Sequence, residues 1–369
     1  MGLTAALALT AAWPGAANAA AGWAIDPMPL PAGVSHGVST GVSCQVADNC
    51  IAVGSGILAW HWDGSTWELA RIAVPTGDRS AGLTGVSCPS ARQCIAVGAQ
   101  ATGSTPLPLA ERWDGARWHA QSTPSPGGTF LSQLDAVSCD SPNSCTAVGD
   151  AEGGGAVGVT TLAEHWNGTR WTVQHTPSPP DGVQSFAGVS CPSSADCFAV
   201  GSTNDGPFAE SWNGTSWKLM PVPVPAGGTS GELTGISCAG NATCTAVGSY
   251  LTGKGPARPL AERLGSGTWT PKTLPLSATA TNGFLTGVSC TTESRCTAIG
   301  SFRRASVSPQ ALAEVWDGTA WAVQPTARPV SHKILLGVSC TAAQTCSAVG
   351  DDTTERASGG LDLPLAEHE

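Results

Sequence analysis

The chain has 369 residues, with 14 Cys, 14 Trp and a single Tyr, and only 12% of its residues are charged, about half the share usual in soluble domains. Its net charge of −10 argues against a nucleic-acid partner, because neutralising a phosphate backbone takes clustered Lys and Arg. A hydrophobic share of 41% leaves room for a sizeable core, and 46 Gly with 27 Pro make the chain rich in turns. Length alone suggests two or three domains.

At the N-terminus, Met1 to Trp13 form a short apolar stretch. Ala17-Asn18-Ala19 follows it as an A-x-A cleavage site. This is the form of a secretory signal without its basic start. The expectation is a signal peptide at 1–19 and a single domain at 20–369, exported to the cell surface or beyond. No later apolar run reaches the roughly 18 residues a membrane span needs.

Past Ala20 the chain is a repeat of about fifty residues. The cysteines fall in seven Cys-x5-Cys pairs: Cys44/Cys50, Cys88/Cys94, Cys139/Cys145, Cys191/Cys197, Cys238/Cys244, Cys290/Cys296 and Cys340/Cys346. Each pair sits in a frame of the form G-V-S-C-x5-C-x-A-V-G. After a variable gap comes L-A-E-x-W-(D/N)-G-x-x-W, and then a Pro-rich stretch. Both cysteine segments are short, partly β-branched runs bounded by turn residues, which is the pattern of strands. L-A-E-x-W is a third strand, and the second Trp opens a fourth. The Asp-Gly or Asn-Gly between them predicts a two-residue type I′ hairpin turn. Pro ends the fourth strand because it cannot donate to a ladder. No segment has a capped helical period.

Four antiparallel strands per repeat make a propeller blade. The fourth-strand Trp recurs as Trp23, Trp67, Trp118, Trp171, Trp217, Trp269 and Trp321. The first precedes any complete repeat, while the last repeat stops after Leu365-Ala-Glu-His368 without a fourth strand. The expected fold is therefore all-β: a seven-bladed β-propeller of four-stranded antiparallel blades. The ring is closed by an N-terminal strand that completes the C-terminal blade.

The D-G-x-x-W and N-G-x-x-W turns resemble a shortened Asp-box of sialidase-type propellers. The pairs Trp62-Asp63, Trp113-Asp114 and Trp316-Asp317 are similar to WD-repeats but lack their Gly-His partner. Blade length and the late Trp are kelch-like. As a whole the chain looks most like the Cys-paired, Trp-rich secreted propellers of high-GC actinobacteria. That resemblance implies the propeller fold and names no reaction.

Each Cys-x5-Cys would staple the hairpin between strands one and two, since facing positions come within reach of a disulfide, about 5.5 Å between Cα atoms. Seven such staples would pin the loops of one face. Metal is the weaker reading, because zinc pairs usually sit two to four residues apart; no metal site and no cofactor is expected. The Glu of L-A-E recurs at Glu111, Glu164, Glu210, Glu262, Glu314 and Glu367. A group present in nearly every blade reads as a structural partner for an Arg or a backbone amide. The Trp read as core, each needing an N–H partner if buried. Gly33-Val-Ser35-His-Gly37 matches a nucleophile elbow but precedes a strand rather than a helix.

Loops between strands one and two, and three and four, share a face that is nearly constant from repeat to repeat. The gaps between strands two and three lie on the opposite face and vary from Ser55–Ile57 to Asp351–Pro364. Variable segments on a rigid scaffold are where binding sits. The candidates there are Asp150, Glu152, Asp205, Tyr250, Lys254, Arg258, Phe302, Arg303, Arg304, Asp351, Asp352 and Glu355. Asp135 joins them as the lone carboxylate in a column that otherwise reads Thr40, Thr84, Ala187, Thr234, Thr286 and Leu336. The expected function is an exported, monomeric scaffold binding a glycan, a cell-wall polymer or a protein. The alternative is a glycoside hydrolase or lyase using carboxylates on the same face, at the separation of about 5–9.5 Å such chemistry uses.

Overall fold

A computed structural model describes residues 22–70, 72, 81–102, 105–153, 158–177, 184–241, 243–276, 280–305, 308–327, 332–354 and 361–369; the expected signal peptide at 1–19 lies outside them. Seven four-stranded antiparallel sheets stand around one ring. Blade 1 runs through Ser39–Val46, Asn49–Gly54, Leu58–Trp62 and Trp67–Leu69 from the inside outward. Blades 2 to 6 repeat that order. Blade 7 takes His332–Ala342, Thr345–Thr354 and Leu361–His368 from one end of the sequence and Ala24–Pro27 from the other. Ala24 lies opposite His368, and Pro27 opposite Leu365. The length-based expectation of several domains gives way to one closed ring.

Every innermost strand carries a β-bulge one residue before the Gly or Ala of the G-V-S-C frame, at Thr40, Thr84, Asp135, Ala187, Thr234, Thr286 or Leu336. The bulge brings its backbone hard against the Gly of A-V-G on the second strand. A Cβ on Gly54 would sit 2.0 Å from the Val38 carbonyl, and one on Gly248 2.0 Å from that of Glu232. Only glycine permits that approach. Just before each bulge a large side chain (Leu83, Leu134, Phe186, Leu233, Leu285 or Leu335) is at most 1% exposed and wedges between blades. Burying one such side chain stabilises by about 1.5–3 kcal/mol.

Two sets of hydrogen bonds tie neighbouring blades together. The Ser hydroxyl of each G-V-S-C accepts from the amide of the first Cys in the next blade. Ser43 accepts from Cys88, Ser87 from Cys139, Ser138 from Cys191 and Ser190 from Cys238, and then Ser237 from Cys290, Ser289 from Cys340 and Ser339 from Cys44, all at 2.9–3.0 Å. The set is cyclic and includes the joint between the two ends of the chain. Thr40, Thr84, Thr234 and Thr286 each place their bulged hydroxyl 2.6–2.8 Å from a carbonyl of the following blade. At the closing joint the wedge is Ser39 instead. It is fully buried, and its hydroxyl donates toward the Gly350 and Leu365 carbonyls of blade 7 at 2.7 and 3.0 Å.

Seven disulfides staple the first hairpins, with Cα atoms 3.9–4.1 Å apart. The separation is shorter than the expected value because paired cysteines stand directly opposite one another, as Cys139 does to Cys145. The staples also lie deeper than pins on a loop face would. The second cysteine of each pair (Cys50, Cys94, Cys145, Cys197, Cys244, Cys296 and Cys346) is at most 3% exposed. Its strand-two position turns it into the apolar layer beside the fourth-strand tryptophan. Cys50 shares a core cluster with Trp67, Cys94 with Trp118 and Cys145 with Trp171. Cys197 does so with Trp217, Cys244 with Trp269, Cys296 with Trp321 and Cys346 with Trp23.

The hairpin between strands three and four corrects the turn assignment. In blades 1, 2, 3, 4 and 6 the two Trp face each other across the ladder, with ring centroids 5.6–5.8 Å apart. The connection is thus four residues, not two. Only its Gly adopts positive φ, between 89° and 99°. The Asp or Asn stays out of the left-handed region because its side chain does the turn's work. Asp63 Oδ1 accepts the amides of Ser65 and Thr66 at 2.8 Å, and Asn167, Asn213, Asp114 and Asp317 repeat the pattern. The type I′ turn is found in blade 5, which lacks that Asx: Ser266 and Gly267 have φ of 52° and 78°.

Because the serine ring has no end, each clamp is equivalent. Ser237→Ala and Ser339→Ala should each cost about 1 kcal/mol and lower Tm by roughly 2 °C, measured by thermal unfolding of the oxidised protein. An open stack would lose far less at Ser339, which joins the two chain ends.

Candidate functional site

The hairpins between strands two and three and the linkers between blades share one face, as the strand order requires. The variable gaps are mostly strand rather than loop. In blade 7 the second strand runs to Thr354 and the third resumes at Leu361. Asp150 and Glu152 therefore sit in the second strand of blade 3, Tyr250 in that of blade 5, Phe302, Arg303 and Arg304 in that of blade 6, and Asp351 and Asp352 in that of blade 7. Arg258 opens the third strand of blade 5, directly opposite Tyr250. Only Asp205, at a two-residue tip between Thr203 and Gly206, and Lys254, between Leu251 and Arg258, lie in turns. Glu355 lies outside the described residues.

Six of the second cysteines are withdrawn from the cavities, whereas Cys340 lines the hollow between blades 6 and 7. Cys50, Cys94, Cys145, Cys197, Cys244 and Cys296 are closed off in the core beneath the tryptophans and line none of the cavities described below. Their contribution is to hold the first hairpin of each blade.

The structure brings the variable-face residues together in two places. Asp135 lines a central channel of about 180 Å³, walled by all seven innermost strands. Burial, added to by the nearby charge of Asp150, pushes its carboxyl up to about 7. Asp150 is likewise raised by burial, while Gln133 donates to its Oδ1 at 3.1 Å and opposes the shift.

The second place is a pair of equivalent grooves. In blade 5, Tyr250, Arg258, Pro259, Lys272, Leu274 and Leu276 line a groove of about 480 Å³. In blade 6, Phe302, Arg304, Gln310, Gln324 and Pro325 line one of about 420 Å³. The second-strand position two residues after the A-V-G glycine (A-I-G in blade 6) is Tyr250 in one and Phe302 in the other. The other five blades have no aromatic residue there. Lys272, Leu274 and Leu276 escape a search for odd residues in the gap between strands two and three, because they lie in the fourth strand and the linker leaving it. Their signal is the pair of leucines in the Pro271-to-Leu276 segment, where the other exits carry at most one.

Ser35 precedes the first strand of blade 1, with its hydroxyl 3.4 Å from the neighbouring His36 ring and no helix after it, so it is not a nucleophile elbow. On the stapled face a hollow of about 350 Å³ lies between blades 6 and 7, beside Arg295, Asp317, Gln324 and Glu369.

No protein-family model matches the sequence, and neither does any curated protein. Solved propellers match the fold. "YCF48 bound to D1 peptide" superposes with a TM-score of 0.59 at 12% identity, covering 94% of each chain. "YCF48 from Cyanidioschyzon merolae" gives 0.58 at 14%, covering 95% of this chain and 99% of that one. "Structure of U3-55K" gives 0.61 at 8%, covering 95% and 98%. At such identities the likeness speaks for the architecture alone.

The repeated glutamates differ from the expected ion or amide partners. Glu111, Glu164, Glu210, Glu262 and Glu314 are fully buried and have no hydrogen-bond partner among the described residues. Of the repeated glutamates only Glu367 forms an ion pair among the described residues, with the equally buried Lys333 at 3.3 Å, while the charge of Lys272 acts on Glu262 from farther off. Desolvation pushes Glu111 up to about 7 and the other four unpaired carboxyls up to about 8, so burial favours the neutral acid over the carboxylate at each. Most of the tryptophans are core, with Trp62, Trp113 and Trp212 only partly buried at its edge, and Trp67, Trp118, Trp166, Trp171, Trp269, Trp316 and Trp321 leave their indole N–H without a partner among the described residues. Trp217 and Trp23 find one in Gln174 and Gln324 of the preceding blade.

A carboxyl raised in the folded state binds protons that the unfolded chain has released. Stability is then greatest near the unfolded value of about 4.5 and falls as pH rises to about 8. The carboxyls of Asp63 and Asp317 are lowered by turn hydrogen bonds and that of Asp114 chiefly by the His119 ring, so they act only below about pH 4 and do not offset this slope. Thermal unfolding should therefore show a higher Tm near pH 5 than near pH 8.5. Glu314→Gln, which keeps the shape but cannot ionise, should flatten the slope and stabilise the protein at pH 8.5 by more than about 1 kcal/mol. A Tm that rises over that interval would contradict neutral glutamates.

Proposed function

We propose that the chain is an exported scaffold that binds a segment of another protein on the face formed by its second-to-third hairpins and blade linkers. The observation that carries this reading is the contrast between the two faces. The stapled face repeats the disulfide in all seven blades and the Asx turn in five. On the other, blades 5 and 6 open grooves lined by apolar side chains and cations. A concave, mainly apolar lining with a few placed polar groups is the usual form of a binding site. Seven disulfides with no free cysteine among the described residues suit an oxidising compartment and support export. A solved propeller of this architecture is described as bound to a peptide, which supports extending that mode of use to this chain.

A second reading, hydrolysis of a glycan, draws on Asp135. Its raised carboxyl beside Asp150 has the character of a general acid. The channel around it, at about 180 Å³, is smaller than the 300–1,000 Å³ typical of small-molecule pockets, which weighs against a sugar chain reaching it. The readings separate in one panel of immobilised peptides, oligosaccharides and cell-wall polymers, read for both retention and turnover. Retention of peptides without turnover, unchanged by Asp135→Asn, is the expected result. Release of reducing sugar that Asp135→Asn abolishes would replace the first reading by the second.

A further inference from the structure

Taking the peptide-binding reading as its basis, we infer that the grooves of blades 5 and 6 form one continuous docking site for an acidic, apolar-rich extended peptide. The two grooves are built from the same positions of consecutive repeats. Tyr250 corresponds to Phe302, Arg258 to Gln310 and Lys272 to Gln324, each pair 52 residues apart. Their linings have no residue in common but rest on one buried cluster. Leu274 and Leu276 line the blade 5 groove, and both pack against the blade 6 cluster to which Phe302 belongs. A chain segment leaving one groove therefore enters the next across apolar surface.

Charge selects the occupant. The protein carries −10 overall, yet Arg258, Lys272 and Arg304 converge on these two grooves, and Lys254 and Arg303 are exposed beside them. None of the five forms a salt bridge among the described residues. Arg304 instead lies over the Phe302 ring, 5.3 Å from its centroid. Cations left without carboxylates on an acidic protein attract carboxylates from outside, and complementary potential of this kind sets specificity and on-rate.

The aromatic geometry favours peptide over glycan. Stacking on a sugar requires an open ring face. One face of Phe302 is taken by Arg304, and the ring is also packed on the blade 6 core, while Tyr250 is half-buried against that of blade 5. What remains open is a trough that accepts an apolar side chain, flanked by guanidinium groups able to grip carboxylates in bidentate fashion.

The test uses the mature disulfide-bonded protein and arrays of short synthetic peptides matched in apolar content but graded from acidic to basic, with polygalacturonate as the acidic glycan. Bound peptides should be the acidic ones that also carry Leu or Phe. Their affinity should fall steeply with salt, as the Debye length shrinks from about 10 Å at 0.1 M to about 3 Å at 1 M. Arg258→Glu with Arg304→Glu should weaken binding at least about tenfold while leaving the thermal melt unchanged, and Arg258→Gln with Arg304→Gln should weaken it by less. Equal binding by the charge-reversed variant overturns the site but leaves peptide binding standing. Preference for basic peptides or for polygalacturonate overturns the stated chemistry. Retention of no peptide overturns the inference together with the reading beneath it.

Discussion

The architecture depends on how closely the innermost strands approach one another. The glycines of G-V-S-C lie almost in contact around the ring: a Cβ on Gly41 would come 3.1 Å from the Thr84 carbonyl, and one on Gly337 3.0 Å from the Gly41 Cα. At that spacing the serine hydroxyl next along reaches the cysteine amide of the following blade, and the bulged threonine reaches a carbonyl. Each bond contributes only about 1 kcal/mol. Arranged in a cycle, they leave no terminal interface to fray. A solenoid, by contrast, needs capping repeats at its ends.

Close packing between blades also buries five glutamates without partners among the described residues. A buried carboxylate would be far too costly to leave unpaired, so the site keeps the proton instead. Blade 1 makes the alternative visible. Trp60 stands in the glutamate column, fully buried, and donates its indole N–H to the Pro29 carbonyl at 2.7 Å. Pro29 belongs to the linker leaving blade 7. Glu367 of blade 7 accepts from Lys333 of its own first strand, and the Ala327 backbone, in the linker leaving blade 6, lies near enough to hold its carboxyl down. In these two blades the column faces the exit linker of the preceding blade, so a polar group there can fasten the linker as well as fill the interface.

Much of this was legible before the structure, and the reason is repetition. Blade count, strand order, disulfide pairing and the closing strand follow from spacing that recurs seven times. The depth of the staples did not follow, because spacing pairs Cys50 with Cys44 but does not say that Cys50 points at Trp67. The role of the G-V-S-C serine was hidden too, because a polar residue between Val and Cys reads as the solvent side of a strand, and the partner amide lies in another repeat. The Asx turn was misread for a related reason: Asp-Gly favours type I′ only when the backbone alone makes the turn, and here the side chain accepts two amides. The candidate binding residues were assigned to loops because their gaps lack strand punctuation. The ladder in fact continues past the frame, so Tyr250, Phe302 and Asp150 are held on rigid strands. The linker residues Lys272, Leu274 and Leu276 were missed because they complete a groove whose other wall comes from the neighbouring strands.

The variable face is also sorted by charge around the ring. Blade 3 presents Glu152 beside Asp135 and Asp150, whose carboxyls burial raises, blade 4 presents Asp205 and blade 7 Asp351, Asp352 and Asp362, whereas blades 5 and 6 gather Lys254, Arg258, Lys272, Arg303 and Arg304 against the exposed Glu232. An acidic segment approaching this face meets repulsion from blades 3, 4 and 7 and attraction from blades 5 and 6, so long-range charge orients it before any groove is entered. The bulge that places Asp135 at the channel and the strand extensions that carry Tyr250 and Phe302 belong to the same closed scaffold. Its regular side is invariant because the clamps and staples demand it. Its other side is free to differ from blade to blade because no residue there is needed to hold the ring.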